Sequence, residues 1–433
     1  MQSIGVFVFV PFCKIKCTYC DFNVYAHLAR LMDPYADVVV EEIQRSLVIP
    51  SGEVARNLVA SIDNETSRSA RGDKRRAHSI YFGGGTPSIV PAAQIEKILR
   101  ALRETFVLAP DAEISLEANP ATADEEKIRA WRALGVNRLS IGVQSFDDAT
   151  LKRLNRGHTA ADAIAMYDQA RRAGFDNISF DFIFGLPLQT LDEWRATLDR
   201  ALELQPEHLS LYGLRVEEKT GLEFQIARGV YPTPDDDLAA DMYEMAEEML
   251  EAAGYAQYEI SNWARRVGAR HSRDLEANSN QGWNEQDEKL IEPDMANASP
   301  LQSRHNLTYW LNQPYLGFGA GAHSYFNGAR FSNLLSPVEY IEKIQRGESV
   351  IATREEIARE MEMAETMFLG LRLMRGISLE QFRARFGIDA REHYAEQFSE
   401  LKAMGMIEFA NDYARLSRRA RLVSNQVFWR FLP

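Results

Sequence analysis

An α/β fold, with six βα units forming a parallel sheet or barrel and an α+β region behind them, is what this sequence of 433 residues predicts. Two observations carry the first half. Six short apolar runs rich in β-branched and aromatic residues alternate with longer amphipathic stretches, and several of those runs end in a polar or glycine-rich segment, where α/β folds place their chemistry. A third observation carries the second half: after Thr353 the chain reads as three helices and a hairpin.

The predicted strands are "IGVFVFV" (4 to 10), "SIYF" (79 to 82), "AEISLEA" (112 to 118), "RLSIGVQS" (138 to 145), "NISFDFIF" (177 to 184) and "HLSLYGL" (208 to 214). They run largely apolar, as parallel strands buried on both faces do. Between them, "PYADVVVEEIQRSL", "AAQIEKILRALRETF", "ADEEKIRAWRAL", "AADAIAMYDQARRAG" and "TLDEWRATLDRALEL" repeat apolar residues every three or four positions, the spacing of one helix face. Segments 56–77 and 264–302 are polar, without periodicity and poor in aliphatic residues, and read as surface insertions. Beyond residue 353, "EIAREMEMAETMFLGLRLM", "SLEQFRARFG" and "REHYAEQFSELKAMG" read as helices. "MIEFANDYARLS" follows as a two-stranded wing turning at Asn411 and Asp412, completing a winged-helix-like module. In an acidic chain such a module is read as a packing cap rather than a DNA reader.

The formal net charge of -13 argues against broad nucleic-acid binding, which needs clustered Lys and Arg against phosphate. The N-terminus "MQSIGVFVFVPFC" has no basic region ahead of its apolar run, and no stretch reaches the roughly 18 apolar residues of a membrane span, so a soluble, cytoplasmic protein is expected. All three cysteines, Cys13, Cys17 and Cys20, fall within "PFCKIKCTYCDF". An odd number so closely spaced makes no disulfide framework.

A C-x3-C-x2-C spacing directly after a strand brings three thiols round one loop. A structural zinc would need a fourth ligand, and His27 is the only nearby histidine. An iron-sulfur cluster takes one thiolate per iron, so three leave one iron open. Lys14 and Lys16 inside the loop favour thiolates. Three unrelated buried thiols are the plain alternative, weakened by the absence of cysteine elsewhere. Four further stretches carry candidate contacts. The glycines of "YFGGGTPS" permit close backbone approach, and their N–H groups can donate to a carboxylate or ribose oxygen. "SLEANP" puts Glu117 at a strand end, "SIGVQSFDDATLKRLNRGHT" supplies Gln144 and Arg156, and "SFDFIFGLPLQT" holds Asp181 inside an apolar strand. An internal Arg156–Asp181 salt bridge is the bland reading of the last two.

The cysteine spacing, with Tyr19 directly before the last cysteine, resembles the radical S-adenosylmethionine (SAM) superfamily, and the other motifs follow in that family's order. The resemblance implies a partial (β/α)6 barrel over residues 1–230 with a 4Fe-4S cluster on Cys13, Cys17 and Cys20. It implies SAM chelated at the open iron and cleaved by an electron to a 5′-deoxyadenosyl radical. Gly84, Gly85, Thr86, Glu117, Gln144, Arg156 and Asp181 would contact SAM, with Tyr212 and Gly213 near adenine.

Within the superfamily the chain resembles the group that holds oxygen-independent coproporphyrinogen III oxidase and its heme-chaperone look-alikes. The oxidase carries a fourth cysteine where Phe22 stands, and an N-terminal segment ahead of the first strand; both departures favour the chaperone branch. "RHNLTYW" (304 to 310) and "YLGFGAGAHSY" (315 to 325) resemble that branch's heme-associated region. His305 is the candidate axial ligand to heme, with Tyr309 and Trp310 as flat surface. In the bland reading, His305 and Asn306 dock the second domain on the barrel edge. His323 is the rival ligand. The expected function is a heme chaperone that passes heme to acceptor proteins, respiratory ones among them, with an electron donor as a further partner. Propionate decarboxylation of coproporphyrinogen III and radical SAM chemistry on another substrate are the alternatives, so whether the chain is an enzyme stays open. No nucleic-acid partner and no transmembrane segment are expected; peripheral membrane contact stays open. The expected division is 1–230 for the core, 231–353 for a second region and 354–433 for the winged-helix-like module.

Overall fold

The computed structural model describes residues 3–46, 74–266, 299 and 301–433. Strands β1 (Ile4–Val10), β2 (Arg76–Gly84), β3 (Val107–Ala118), β4 (Arg138–Gln144), β5 (Ile178–Phe184) and β6 (His208–Gly213) lie side by side, parallel and in chain order. Helices Met32–Arg45, Ala92–Thr105, Glu125–Ala133, Ala160–Arg172 and Leu191–Leu204 fall where the amphipathic spacing put them. Two open with reciprocal caps, Thr159 with Asp162 and Thr190 with Glu193, each satisfying amides that the first turn leaves free. The fold is a partial (β/α)6 barrel with a C-terminal α+β region.

Successive strand side chains point to opposite faces, and here the two faces differ in chemistry. Val6 and Val8, Ile80 and Phe82, Ile114 and Leu116, Leu139 and Ile141, Phe180 and Phe182, and Leu209 and Leu211 join the apolar core beneath the helices. The opposite register carries Tyr81, Glu117, Ser140, Ser179, Asp181, His208 and Ser210, all lining one cavity. The expectation of strands apolar on both faces is therefore corrected. The sheet is buried on both sides, but its inner side is polar because it surrounds a cavity.

Both edges of the parallel sheet are extended. β8 (Asn262–Arg265) pairs antiparallel with β6, and β7 (Tyr255–Glu259) with β8. At the other edge β9 (Tyr315–Phe318) runs parallel to β1, and β10 (His323–Phe326), β11 (Ala329–Asn333) and β12 (Ile351–Glu356) continue antiparallel. Of the two expected insertions, residues 56–73, 267–298 and 300 lie outside the described residues. Their expected ends are corrected: Arg76 and Ala77 already belong to β2, and Ala264 and Arg265 to β8.

Helices Arg359–Gly370, Leu379–Phe386 and Ala395–Ala403 pack round a second core of Met367, Phe382, Phe398 and Leu401. The hairpin of β14 (Ile407–Ala410) and β15 (Tyr413–Leu416) turns at Asn411, whose φ of 53° is left-handed, and β13 (Ile377–Ser378) adds a third strand. Buried carboxylates tie this winged-helix-like module to the barrel: Glu259 to Arg372, Glu365 to Arg330, and Glu247 to both Arg418 and Arg421.

Helix Arg304–Trp310 packs on β1 and β2 from the cavity side. Buried Glu113 holds its first turn, accepting from the Ser303 hydroxyl at 3.3 Å, the Arg304 amide at 2.9 Å and the His305 amide at 3.2 Å. His78 Nε2 lies 2.8 Å from the Thr308 hydroxyl on the same helix. Glu113→Ala leaves two amides without an acceptor at a helix start. The expected loss is roughly 1–3 kcal/mol, read as a lower urea midpoint.

Candidate functional site

A cavity of about 650 Å³ opens on the polar face, lined by Cys13, Cys17, Cys20, Gly84, Gly85, Thr86, Glu117, Gln144, Arg156, Asp181, Tyr212, Gly213 and His305, while Trp310 and His323 lie outside the lining. The loop after β1 closes one side. Its backbone is fixed from several directions: Cys13 N–H donates to Tyr25 O, Thr18 N–H to Leu154 O, Leu222 N–H to Thr18 O, and Asn155 Nδ2 to Lys16 O. The three cysteines are free thiols facing one space. Burial first, only partly offset by the Thr86 hydroxyl, pushes the Cys13 thiol up; burial likewise pushes Cys20 up to about 11 against a donated Phe22 N–H. Without a cation nearby, burial thus favours the protonated form of Cys13 and Cys20. Among the described residues no set of three His, Cys, Asp or Glu side chains is already drawn into ligating geometry. His27 is exposed and outside the lining, so it is not placed as the fourth donor that the zinc alternative would need. Three soft donors on one loop facing a cavity suit a thiolate-held cluster with one open position.

The glycine loop serves this site differently from the expectation that its amides donate to a ligand. Gly84 N–H donates to Glu117 Oε2 at 3.1 Å, Gly85 N–H to Val10 O at 2.7 Å and Thr86 N–H to Phe12 O at 2.8 Å, so all three are already engaged. Glycine is needed for approach. A Cβ on Gly85 would lie 2.7 Å from Phe12 O and 2.8 Å from Val10 O, and Gly84 takes a φ of +106°. The loop thus locks the end of β2 against the cysteine segment.

Two carboxylates lie across the cavity. Glu117 accepts from the Tyr81 hydroxyl at 2.9 Å as well as from Gly84 N–H; burial, then the neighbouring Asp181, drives its carboxyl up to about 7 against those bonds. Asp181 sits in a cradle of hydroxyls, with Ser140 Oγ at 2.9 and 3.0 Å and Ser179 Oγ at 3.3 Å, and burial raises its pKa too. Arg156 turns elsewhere: Nη2 donates to Gly142 O at 2.7 Å, and Nη1 to Cys17 Sγ at 3.5 Å and Tyr19 OH at 3.4 Å. The salt bridge considered for Arg156 and Asp181 does not form. Arg156 Nε is buried without a partner, a donor in the cavity wall ready for an acceptor. Gln144 ends β4 with a left-handed φ of 67°, and Tyr212 is 44% exposed at the end of β6, where Gly213 passes over the Phe184 ring.

His305 corrects its expected role as an open axial donor. It is 1% exposed, Nδ1 meets the Ser79 hydroxyl at 3.0 Å and Nε2 the Tyr309 hydroxyl at 2.9 Å, and the ring stacks on Tyr81 with centroids 5.0 Å apart. Burial takes its pKa down to about 3, so it is a neutral, fully bonded imidazole that docks helix Arg304–Trp310. Trp310 lies under Arg372 at 4.4 Å, which spends its flat face on packing. His323, by contrast, is exposed at the start of β10. Sequence reading passed over Tyr81, Arg138, Ser140, Ser179, His208 and Ser210, which also line the cavity. Strand parity could have found five of them, since Arg138 and Ser140 stand an even number of residues from Gln144, Ser179 from Asp181, and His208 and Ser210 from Tyr212.

Over 429 residues the chain is 32% identical to the heme chaperone HemW of Bacillus subtilis, covering 99% of both chains. The chain belongs to the HemW family of the radical SAM superfamily. The heme chaperone HemW of Lactococcus lactis is 31% identical to this HemW-family chain over 98% of it and 96% of the relative. The family model described as the Radical SAM superfamily matches residues 7–201, and that of the HemN C-terminal domain residues 357–423. Among solved structures, coproporphyrinogen III oxidase (HemN) from Escherichia coli shares the fold, with a TM-score of 0.76 at 21% identity over 99% of this chain and 90% of the other.

The Glu117 carboxyl gives a pH signature for the ligand-free protein. Its raised pKa means the folded state holds a proton more tightly, so its contribution is full in acid and is lost as pH rises from about 4.5 to about 7. Denaturation of wild type and Glu117→Gln across pH 4 to 8 is expected to favour the variant increasingly toward pH 7. Parallel curves would disprove it.

Proposed function

We propose that this chain is a heme chaperone, which binds heme and passes it to acceptor proteins while carrying a 4Fe-4S cluster and SAM in the barrel cavity. The observation that carries the reading is the likeness, over nearly the full length of both chains, to proteins named heme chaperone HemW. Phe22 supports it too, as an exposed aromatic at the cavity edge where the oxidase branch has a cysteine. No helix among the described residues is long and apolar enough to cross a membrane, which agrees with a cytoplasmic site of action.

Cys13, Cys17 and Cys20 would hold the cluster, which supplies an electron to SAM at its open iron. Arg156 Nε is suited to the SAM carboxylate, Glu117 and Asp181 to its cationic and hydroxyl groups, and Gln144, Tyr212 and Gly213 to the nucleoside end. Replacing any one of the cysteines by Ser is expected to abolish the cluster. Glu117→Ala, Arg156→Ala and Asp181→Ala are expected to retain it and to weaken SAM binding by roughly 1.5–3 kcal/mol each. Since Glu117 ionises near pH 7, SAM affinity should rise from pH 6 to pH 8, and Glu117→Gln should flatten that rise.

Heme separates this function from the oxidase. Anaerobically reconstituted protein is expected to bind about one equivalent of heme and to leave coproporphyrinogen III unchanged; turnover of that substrate with SAM overturns the proposal. With both His305 nitrogens engaged, the exposed His323 is the better iron donor, so His323→Ala should shift the Soret band. A shift on His305→Ala with folding intact would return the ligand to His305.

A further inference from the structure

Thr86 stands at the N-cap of the short helix Pro87–Ile89, where a threonine hydroxyl ordinarily accepts from a helix amide. Here it makes no capping bond. Its hydroxyl donates instead to Cys13 Sγ at 3.4 Å, and the residue is pinned by its own N–H on Phe12 O and by burial, at 8% exposed. Arg156, from the turn after the short helix Asp148–Arg153, is anchored on Gly142 O and places Nη1 3.5 Å from Cys17 Sγ. Two segments thus aim one side-chain donor each at Cys13 and Cys17.

We propose that Thr86 and Arg156 are positioning residues that raise the reduction potential of the cluster through hydrogen bonds to Cys13 and Cys17. The inference rests on the cluster reading above. One-electron reduction adds negative charge that is shared with the thiolate sulfurs, so a fixed donor on sulfur favours the reduced form. Burial keeps such donors from being matched by water. No proton moves and no bond breaks at either residue; the electron comes from an external one-electron reductant.

The test is a dithionite redox titration, followed by electron paramagnetic resonance, of the anaerobically reconstituted full chain without SAM. Thr86→Val, which keeps the shape and removes the donor, is expected to have wild-type iron and sulfide content and a more negative midpoint, and Thr86→Ser to return to the wild-type midpoint. Arg156→Lys, which keeps the charge and removes the fork, should also move negative. A fully loaded Thr86→Val with the wild-type midpoint overturns the proposal for Thr86. Should that variant fail to load, Arg156→Lys decides in the same way. Failure of both to load while still folded assigns them a structural role and overturns tuning. A wild-type chain that takes up no cluster fails the cluster reading itself, a separate result.

Discussion

A buried sheet with one apolar and one polar face is the constraint on which the rest of this molecule depends. The apolar face is simple to satisfy, since helices cover it. The polar face is not, because a hydroxyl, imidazole or carboxylate removed from water without a partner costs free energy of the order of the whole fold's margin. Asp181 is therefore embedded among serine hydroxyls, Glu117 between Tyr81 and Gly84, and Glu113 beneath a helix start. Each inward polar group that has found a partner fixes the position of another element. The Arg304–Trp310 helix is held in the barrel by Glu113 and Ser79, from the polar register of β3 and β2, and by His78 at the irregularity of β2 beside them.

This constraint also explains what was legible in the sequence. Periodicity located the six strands and five helices because apolar residues on the covered face obey a strict repeat, and capping pairs such as Thr190 with Glu193 marked the helix starts. That Cys13, Cys17 and Cys20 gather on one loop facing one space was legible from their spacing. The cavity contacts depended on a family resemblance, and the cavity gathers them: Glu117 comes from the end of β3, Asp181 from the middle of β5 and Arg156 from the turn after the helix Asp148–Arg153. Serines such as Ser140, Ser179 and Ser210 carry no motif and were missed, although their parity marks them as inward.

What could not be read from spacing was the state of a donor. "RHNLTYW" offers an imidazole and two aromatic rings, but sequence does not say whether Nε2 is open. In the fold it meets Tyr309, four residues on along the same helix face, and Nδ1 meets a serine from β2. The glycine loop gives the same lesson. Three consecutive amides suggest an anion cradle, yet Gly84, Gly85 and Thr86 spend theirs on Glu117, Val10 and Phe12. An amide already bonded inside the chain offers a ligand proximity, not donation.

The cysteine loop and the glycine loop are consequently one mechanical unit. Gly85 and Thr86 bond the backbone on either side of Pro11, and the Thr86 hydroxyl reaches the first cysteine of that same segment. Arg156 and Asn155 bond the loop from the other side, at Cys17 and Lys16. A displacement of β2 or of the turn after the helix Asp148–Arg153 therefore moves sulfur atoms, and a group bound at the sulfurs would restrain both in return. Glu117 bonds Gly84 on that same loop, so a charge change at the carboxylate acts on the glycine turn as well as on any ligand in the cavity. Cysteine loop, glycine turn and carboxylate therefore belong to one hydrogen-bonded frame.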